Sequence, residues 1–118
     1  MTEENKKVLS DEPRQAVEEM ITVTEELIAR IEIESNAIAT NDGTAFTMNE
    51  ENKEHVANIY EKASAEFHKR INQFKKVDKA LIEQLNAAQE SLKQTTNNNL
   101  KLLEKFEKNQ EENKSEND

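Results

Sequence analysis

Apolar residues recur at alternating intervals of three and four along the stretch from Tyr60 to Phe106. Fourteen positions follow this spacing, and eleven of them are apolar. Such a seven-residue repeat keeps one stripe of an α-helix facing a partner helix, and no strand-like alternation competes with it. Because the stripe has to be covered, we expect further helix from the same chain or from a second copy. The positions are Tyr60, Ala63, Phe67, Ile71, Phe74, Asp78, Leu81, Leu85, Ala88, Leu92, Thr95, Asn99, Leu102 and Phe106.

A second stripe predicts a helix over about residues 11–41. Ser10 and Asp11 offer side-chain oxygens suited to capping its amino end, and Pro13 suits a first helical turn. The apolar spacing then continues without interruption to the next turn signal. The positions that repeat every seven residues are Val17, Thr24, Ile31 and Ile38.

The segment Asn41-Asp42-Gly43 marks the end of this first helix. It holds the only glycine of the chain, and glycine tolerates the positive φ that the carboxyl end of a helix often requires. Thr44 or Asp42 is expected to cap a second helix over residues 44–76. A connection this short predicts that the second helix returns antiparallel to the first, with both stripes facing inward.

The boundary after the second helix decides the architecture. Lys75 and Lys76 suit a helix carboxyl end, and Asp78 suits the cap of a third helix over residues 78–110. A break here predicts an all-α, antiparallel up-down-up three-helix bundle. Without the break, residues 44–110 would form one helix of about 100 Å, which the first helix covers only in part, so a dimeric coiled coil would result.

Both ends of the chain lack apolar periodicity. Residues 1–10 are mostly charged or polar, and the residues that follow Glu107 include no apolar side chain. Such segments bury too little apolar surface to offset the entropy lost on ordering them. We therefore expect disordered tails at residues 1–10 and 111–118, flanking one helical domain at residues 11–110.

Charge and composition narrow the class of protein. The chain carries 16 basic and 25 acidic residues, and its net charge of −9 repels a phosphate backbone, which argues against a nucleic-acid partner. It has no cysteine, so disulfides and thiol chemistry are excluded. No apolar run approaches the ~18 residues of a membrane span or forms a secretory signal. These features predict a cytoplasmic protein without a membrane partner.

The sequence contains no arrangement typical of catalysis. There is no Gly-rich phosphate loop and no Ser or Cys nucleophile motif. A carboxylate-bridged metal site in a helical bundle needs a Glu three residues before a His, yet Asn52 precedes His55 and Ala65 precedes His68 at that spacing. We predict that the protein is not an enzyme and that it uses neither a metal nor a cofactor.

Two features of the third predicted helix stand out. Residues 95–99, TTNNN, have poor helix propensity, which indicates a loose helix or a polar layer that sets the register. Residues 100–106, LKLLEKF, spread their apolar side chains over about 160° of a helical wheel at ~100° per residue, wider than one partner seam. The apolar surface left over by the partner seam has two explanations. A neighbouring helix or the tail covers it, or it forms a docking groove for the amphipathic helix of a partner.

Four sequence features occur together in this chain. They are ELIARIEIESNAI at the end of the first helix, the polar turn at Asn41-Asp42, Lys53 seven residues before Tyr60, and Asn99 followed by Leu102-Leu103. In this combination the chain resembles the FlgN family of flagellar export chaperones over about residues 13–108. The resemblance implies an ATP-free cytoplasmic chaperone that holds the carboxyl-terminal helical segment of the hook-filament junction proteins before flagellar type III export.

The same resemblance implies a client-binding site on the third helix. FlgN-like proteins bind clients there, and the client would pair with it as another bundle helix, with the chaperone a compact monomer or weak homodimer. Two alternatives stay open, both without enzymatic activity: a coiled-coil scaffold that self-associates, and an adaptor for another helical partner in secretion or signalling. The client-binding residues expected from the resemblance are Leu92, Asn99, Leu100, Leu102, Leu103 and Phe106.

Overall fold

The computed structural model describes the backbone of residues 7–116 and the side chains of residues 7–109. Helices are the only regular secondary structure in this part of the chain, so the prediction of an all-α protein is confirmed. The elements are α1 (Pro13–Ala39), α2 (Gly43–Lys69), a short 3₁₀ helix (Ile71–Phe74) and α3 (Lys79–Glu116).

α1 and α2 run antiparallel, as the short connection between them predicts. Asn49, near the amino end of α2, donates to the backbone oxygen of Arg30, near the carboxyl end of α1. Glu66, near the carboxyl end of α2, accepts a hydrogen bond from Val8, just before α1. The two helices therefore lie side by side over nearly their full lengths.

α3 runs parallel to α1, which completes the up-down-up arrangement. Gln89 donates to Thr24, and Asn99 donates to Ser35, so contacts advance along both helices together. The central helix is α1, which packs along both of the others. The three-helix bundle is confirmed, and the alternative of one continuous helix over residues 44–110 is wrong, because the chain reverses between α2 and α3.

The turn between α1 and α2 is built on Asn41, whose φ is 56°. The backbone N–H of Asn41 donates to Ile38 and that of Asp42 donates to Ala37, which satisfies two terminal carbonyls of α1. Asn tolerates this left-handed conformation because its side chain is short and polar. The expectation that Gly43 takes the positive φ is therefore wrong, since Gly43 begins α2 instead. Asp42 caps α2, as predicted, by accepting from the N–H of Ala45 at 3.0 Å.

The amino end of α1 is capped by Glu12, and not by Ser10 or Asp11. The Glu12 carboxylate accepts from the backbone N–H groups of Arg14 and Gln15. Pro13 occupies the first turn, as its missing N–H predicts. The capping residue differs from the expectation because α1 begins at Pro13, which places the cap at Glu12; the neighbouring Asp11 pairs with Lys7 at 2.8 Å instead.

The segment before α1 belongs to the bundle. Leu9 is 5% exposed and lies in the core, and Val8 packs against the same cluster. Both of their backbone N–H groups donate to the carboxylate of Glu66 on α2. The expectation of a disordered tail over residues 1–10 is therefore wrong for Val8 and Leu9, whereas residues 1–6 lie outside the described part of the chain.

The predicted break between the second and third helices is confirmed, but α2 ends at Lys69 instead of residue 76. The 3₁₀ helix that follows buries Phe74, whose ring stacks on that of Phe67 with centroids 4.2 Å apart. α3 begins after Asp78, whose backbone oxygen accepts from Leu81 and Ile82. α2 therefore ends before the predicted residue 76 because the chain folds back after Lys69, and this places Phe74 in the core.

α3 is longer than predicted. Its backbone remains helical to Glu116, six residues beyond the expected end at residue 110, and residues 117–118 lie outside the described part of the chain. The expectation of a disordered tail over residues 111–118 is therefore wrong for the backbone of residues 111–116. Over the described residues, none of the helices has a sufficiently long apolar stretch to cross a membrane.

The apolar core lies in the half of the bundle that contains the start of α1, the end of α2 and the start of α3, which we call the proximal half. The other half, with the α1–α2 turn, is the distal half, where Glu34, Asn49 and Asn99 are buried. The two halves therefore differ in the chemistry of their interiors. The buried members of the proximal cluster are Leu9, Ala16, Val17, Met20, Val23, Ala63, Phe74 and Leu85.

Candidate functional site

Three apolar residues near the distal end of α3 form an incompletely covered surface, the distal ridge, made of Leu100, Leu103 and Phe106. They are three residues apart, so they lie on neighbouring turns of one helix face. Leu100 is 51% exposed and Phe106 is 39% exposed, whereas Leu103 is half-buried. The surplus apolar surface predicted from LKLLEKF is therefore present on this chain.

The exposure of Phe106 follows from the lengths of the helices. Leu85, Leu92 and Asn99 recur at seven-residue intervals, and all three are buried in the bundle. Phe106 is the next position of this stripe, but α1 has ended at Ala39. The stripe therefore continues past the helix that covers it.

The ring of Phe106 borders two open cavities at the distal end of the bundle. One of about 370 Å³ lies between α3 and the end of α1, where Ile38 and the half-buried Leu102 also line it. The other, of about 200 Å³, lies between Phe106, the α1–α2 turn and Phe46 of α2. This end of the bundle therefore has open space beside its aromatic side chains.

Two of the six expected client-binding residues face the inside of the bundle. Leu92 and Asn99 are both less than a tenth exposed, and Asn99 donates to the hydroxyl oxygen of Ser35 on α1 at 3.0 Å. They do not lie on the surface with Leu100 and Phe106. The run at residues 95–99 is regular α-helix, and Asn99 with Ser35 forms a polar contact between α1 and α3, in line with the polar-layer interpretation.

A buried ion pair joins α1 to α2 in the distal half. Glu34 is 1% exposed, and one of its carboxylate oxygens accepts a hydrogen bond from Nζ of Lys53. Lys53 also lies 3.6 Å from Glu50 on its own helix. Asn49, one turn before Lys53, is buried against the same part of α1. Polar groups thus hold the first half of α2 to α1.

Sequence reasoning missed this ion pair, although Glu34 and Lys53 both occur in the features that carry the family resemblance. A signal was present in the stripe of α1. Glu34 lies three residues after Ile31 and four before Ile38, so it occupies the face that the apolar stripe turns inward. A charge at such a position predicts a partner on the facing helix, since an isolated buried charge is strongly unfavourable.

A second polar network joins all three helices near the middle of the bundle. The Tyr60 hydroxyl of α2 donates to Gln89 of α3 at 2.6 Å, and Gln89 donates to the hydroxyl oxygen of Thr24 on α1 at 3.2 Å. Thr24 in turn donates to the backbone oxygen of Met20. This network marks the boundary between the apolar proximal core and the more polar distal half.

His55 and His68 both lie exposed on α2. The described residues contain no group of three or more His, Asp or Glu side chains placed to hold a metal ion. The charge near the distal ridge differs from that of the whole chain. Residues 93–108 carry four lysines and two glutamates, a local charge of +2 in a protein of net charge −9.

Comparison of the chain with protein-family models, with curated proteins and with solved structures finds no match. The fold and the distal ridge are therefore established by the structure alone. The resemblance to FlgN chaperones rests on the four sequence features that carry it and stays a hypothesis.

Proposed function

We propose that the protein is an ATP-free, cytoplasmic chaperone of the FlgN type, which binds the carboxyl-terminal helical segment of the hook-filament junction proteins before flagellar export. The observation that carries this proposal is the distal ridge, where Leu100 and Phe106 remain exposed in the folded chain. Exposed apolar residues on neighbouring turns of one helix suit the apolar face of an amphipathic helix.

The position of the ridge favours a client that binds as an additional bundle helix. Gln89 and Leu103 are fourteen residues apart, two heptads, and so lie on nearly the same face of α3. Gln89 contacts Tyr60 of α2 as well as Thr24 of α1, so this face is turned toward the groove between α1 and α2. A client helix on the ridge would therefore lie along α3 at this groove and extend the existing helix packing.

The energy available at the ridge suits reversible binding. Full burial of a Leu or Phe side chain contributes about 1.5–3 kcal/mol, and the ridge residues are already partly buried. The gain from Leu100 and Phe106 together is then only a few kcal/mol, before the entropy lost on association is subtracted. Such an interface belongs to the small, transient class, which is appropriate for a chaperone that releases its client without ATP.

A direct test measures the binding of a fluorescent peptide with the sequence of the junction proteins' carboxyl-terminal segment. Leu103→Glu and Phe106→Glu should each abolish the anisotropy change, because a charge replaces the apolar contact. Ile71→Glu is the matched control, since Ile71 is 50% exposed but lies in the 3₁₀ helix, away from the ridge. Circular dichroism should show unchanged helicity in all three variants. Binding that survives both ridge substitutions would contradict the proposal.

The two alternatives are separated by the nature of the partner. A self-associating scaffold would sediment as a dimer or larger species, and Leu103→Glu would dissociate it. An adaptor would bind a different helical protein through the same ridge and ignore the junction peptide. The scaffold alternative assumed self-association through one long helix over residues 44–110. The chain instead folds back between α2 and α3, so the stripe over residues 60–106 is divided between two helices.

A further inference from the structure

α2 is held to the bundle in two different ways along its length. From Val56 onward its apolar side chains pack against the proximal core, where Ala63 is fully buried and Phe67 stacks on Phe74. Residues 43–55 are all described, and none of them belongs to that cluster. The carboxyl-terminal half of α2 is therefore anchored by apolar packing that its amino-terminal half lacks.

Residues 43–55, which we call the flap, contact α1 mainly through polar groups. Asn49 donates to a backbone oxygen of α1 at 2.9 Å, and Lys53 pairs with Glu34. Phe46 is half-buried beside an open cavity and is the largest apolar side chain of the flap in contact with the bundle. Detaching the flap would therefore break these polar contacts and free one large apolar side chain, Phe46.

Two polar atoms between the flap and α1 are left without partners when the flap is closed. Oε1 of Glu34 and Oδ1 of Asn49 are both buried and have no hydrogen-bond partner among the described residues. A buried acceptor without a partner is unfavourable, and hydration of both oxygens would reverse that loss. The closed flap is thus less stable than its helical geometry alone indicates.

The flap sequence also favours local unfolding. It reads GTAFTMNEENKEH, and seven of these thirteen residues are Gly, Thr, Asn, Phe or His, which are weak helix formers. An isolated helix of this length is marginal in water even with favourable residues. Once it leaves α1, the flap would not remain helical by itself.

We infer that the flap opens by local unfolding while the rest of the bundle stays folded, and that a client helix occupies the space it leaves. Opening uncovers the distal face of α1 around Glu34 and Ala37, where Ala37 lines a cavity together with Phe106 of α3. The client would then compete with residues 43–55 for this surface. The second part of the inference rests on the proposed function, whereas flap opening does not.

Hydrogen exchange of the full chain without a partner tests the opening. Backbone amides of the flap should exchange at least tenfold faster than those of residues 57–68, which belong to the same helix but pack on the proximal core. Exchange that is equally slow in both parts of α2 would overturn the inference. Rapid exchange throughout α2 would overturn it as well, because the helix would then open as one unit.

A matched pair of substitutions refines this test. Glu51 and Glu61 are both exposed residues of α2, and only Glu51 lies in the flap. Glu51→Gly should speed exchange of the flap amides about threefold, as the difference in helix propensity predicts, and leave residues 57–68 unchanged. Glu61→Gly should leave flap exchange unaltered. Identical exchange profiles for the two variants would contradict a separately opening flap.

The junction peptide then tests the competition. Thr47→Ala with Asn52→Ala strengthens the helix at exposed flap positions, so it should close the flap and weaken peptide binding roughly fivefold. Glu51→Gly should tighten binding by about threefold. Peptide binding that neither variant changes would overturn the competition and leave the proposed function standing. Failure of the wild-type chain to bind the peptide would overturn both, and hydrogen exchange would still decide whether the flap opens.

Discussion

Replacing Lys53 with methionine removes the cation that the structure places against the buried carboxylate of Glu34. Loss of one partner from a buried ion pair typically destabilises a protein by about 3–5 kcal/mol, because the remaining charge is left in a poorly solvated position. Glu34 is 1% exposed, but the side chain of Lys53 is 28% exposed, so water already reaches the ammonium end. We expect Lys53→Met to lower the free energy of unfolding by roughly 2–3 kcal/mol.

The double variant separates the charge from the packing. When Glu34→Met accompanies Lys53→Met, both charges are gone and the stems keep a similar volume, so the double variant should be about as stable as the wild type or up to a few kcal/mol more stable. The two substitutions should therefore be strongly non-additive. Urea denaturation followed by far-ultraviolet circular dichroism measures all four proteins of this cycle, and equal slopes would confirm that only stability has changed.

The flap sets an upper limit on the cost of Lys53→Met. If hydrating Glu34 by opening residues 43–55 requires less free energy than burying it unpaired, the chain will open, and the measured loss will equal the free energy of opening. Hydrogen exchange of the wild-type flap supplies that limit independently. If the free energy of flap opening exceeds about 2–3 kcal/mol, Lys53→Met should show its full expected cost. A measured loss of less than about 1 kcal/mol, which is typical of a surface ion pair, would then contradict the assignment of a buried ion pair.

Three further predictions concern stability and use the same urea titration. Asn41→Ala should lower the free energy of unfolding by about 1 kcal/mol, because Asn41 has a positive φ. Gly43→Ala should raise it by about 0.4–1 kcal/mol, since the backbone of Gly43 is regular and no heavy atom lies within 4 Å of the added Cβ. The opposite order of the two stabilities would show that the turn is built on Gly43. Tyr60→Phe should cost about 0.5–1.5 kcal/mol through loss of its hydrogen bond to Gln89, and a neutral result would indicate that the network contributes no net stability. Leu9→Ala should cost about 2–5 kcal/mol, and a negligible loss would mean that the segment before α1 is not part of the core.

The helical architecture could be predicted from the sequence because the pattern that indicates each helix lies within that helix and its flanking residues. The stripes at seven-residue intervals, the polar turn after residue 40 and the charged boundary near Asp78 are all contained in short windows. Val8 and Leu9 give no such signal, since two apolar residues form no period. They are ordered by the carboxylate of Glu66, more than fifty residues away along the chain, and such a contact follows only from the register of α1 against α2.

The candidate site shows the same division between local and long-range information. The width of the apolar arc at LKLLEKF anticipated the exposure of Leu100 and Phe106, because a helical wheel needs only the helix itself. Leu92 and Asn99 were assigned through the family resemblance, and the structure buries both in the bundle. The pairing of Glu34 with Lys53 was missed because the stripes fix which faces meet but not which residues stand opposite one another.

The central place of α1 has a consequence for the order in which the chain acquires its structure. The hydrogen bond from Asn49 to Arg30 spans 19 residues, whereas that from Gln89 to Thr24 spans 65, so α1 meets α2 through much smaller loops than α3. Short loops close with a smaller entropic penalty, and domains assembled from local contacts fold faster. During synthesis the hairpin of α1 and α2 can therefore form first. Until α3 has left the ribosome, the face of α1 that receives it stays open to water and to other chains.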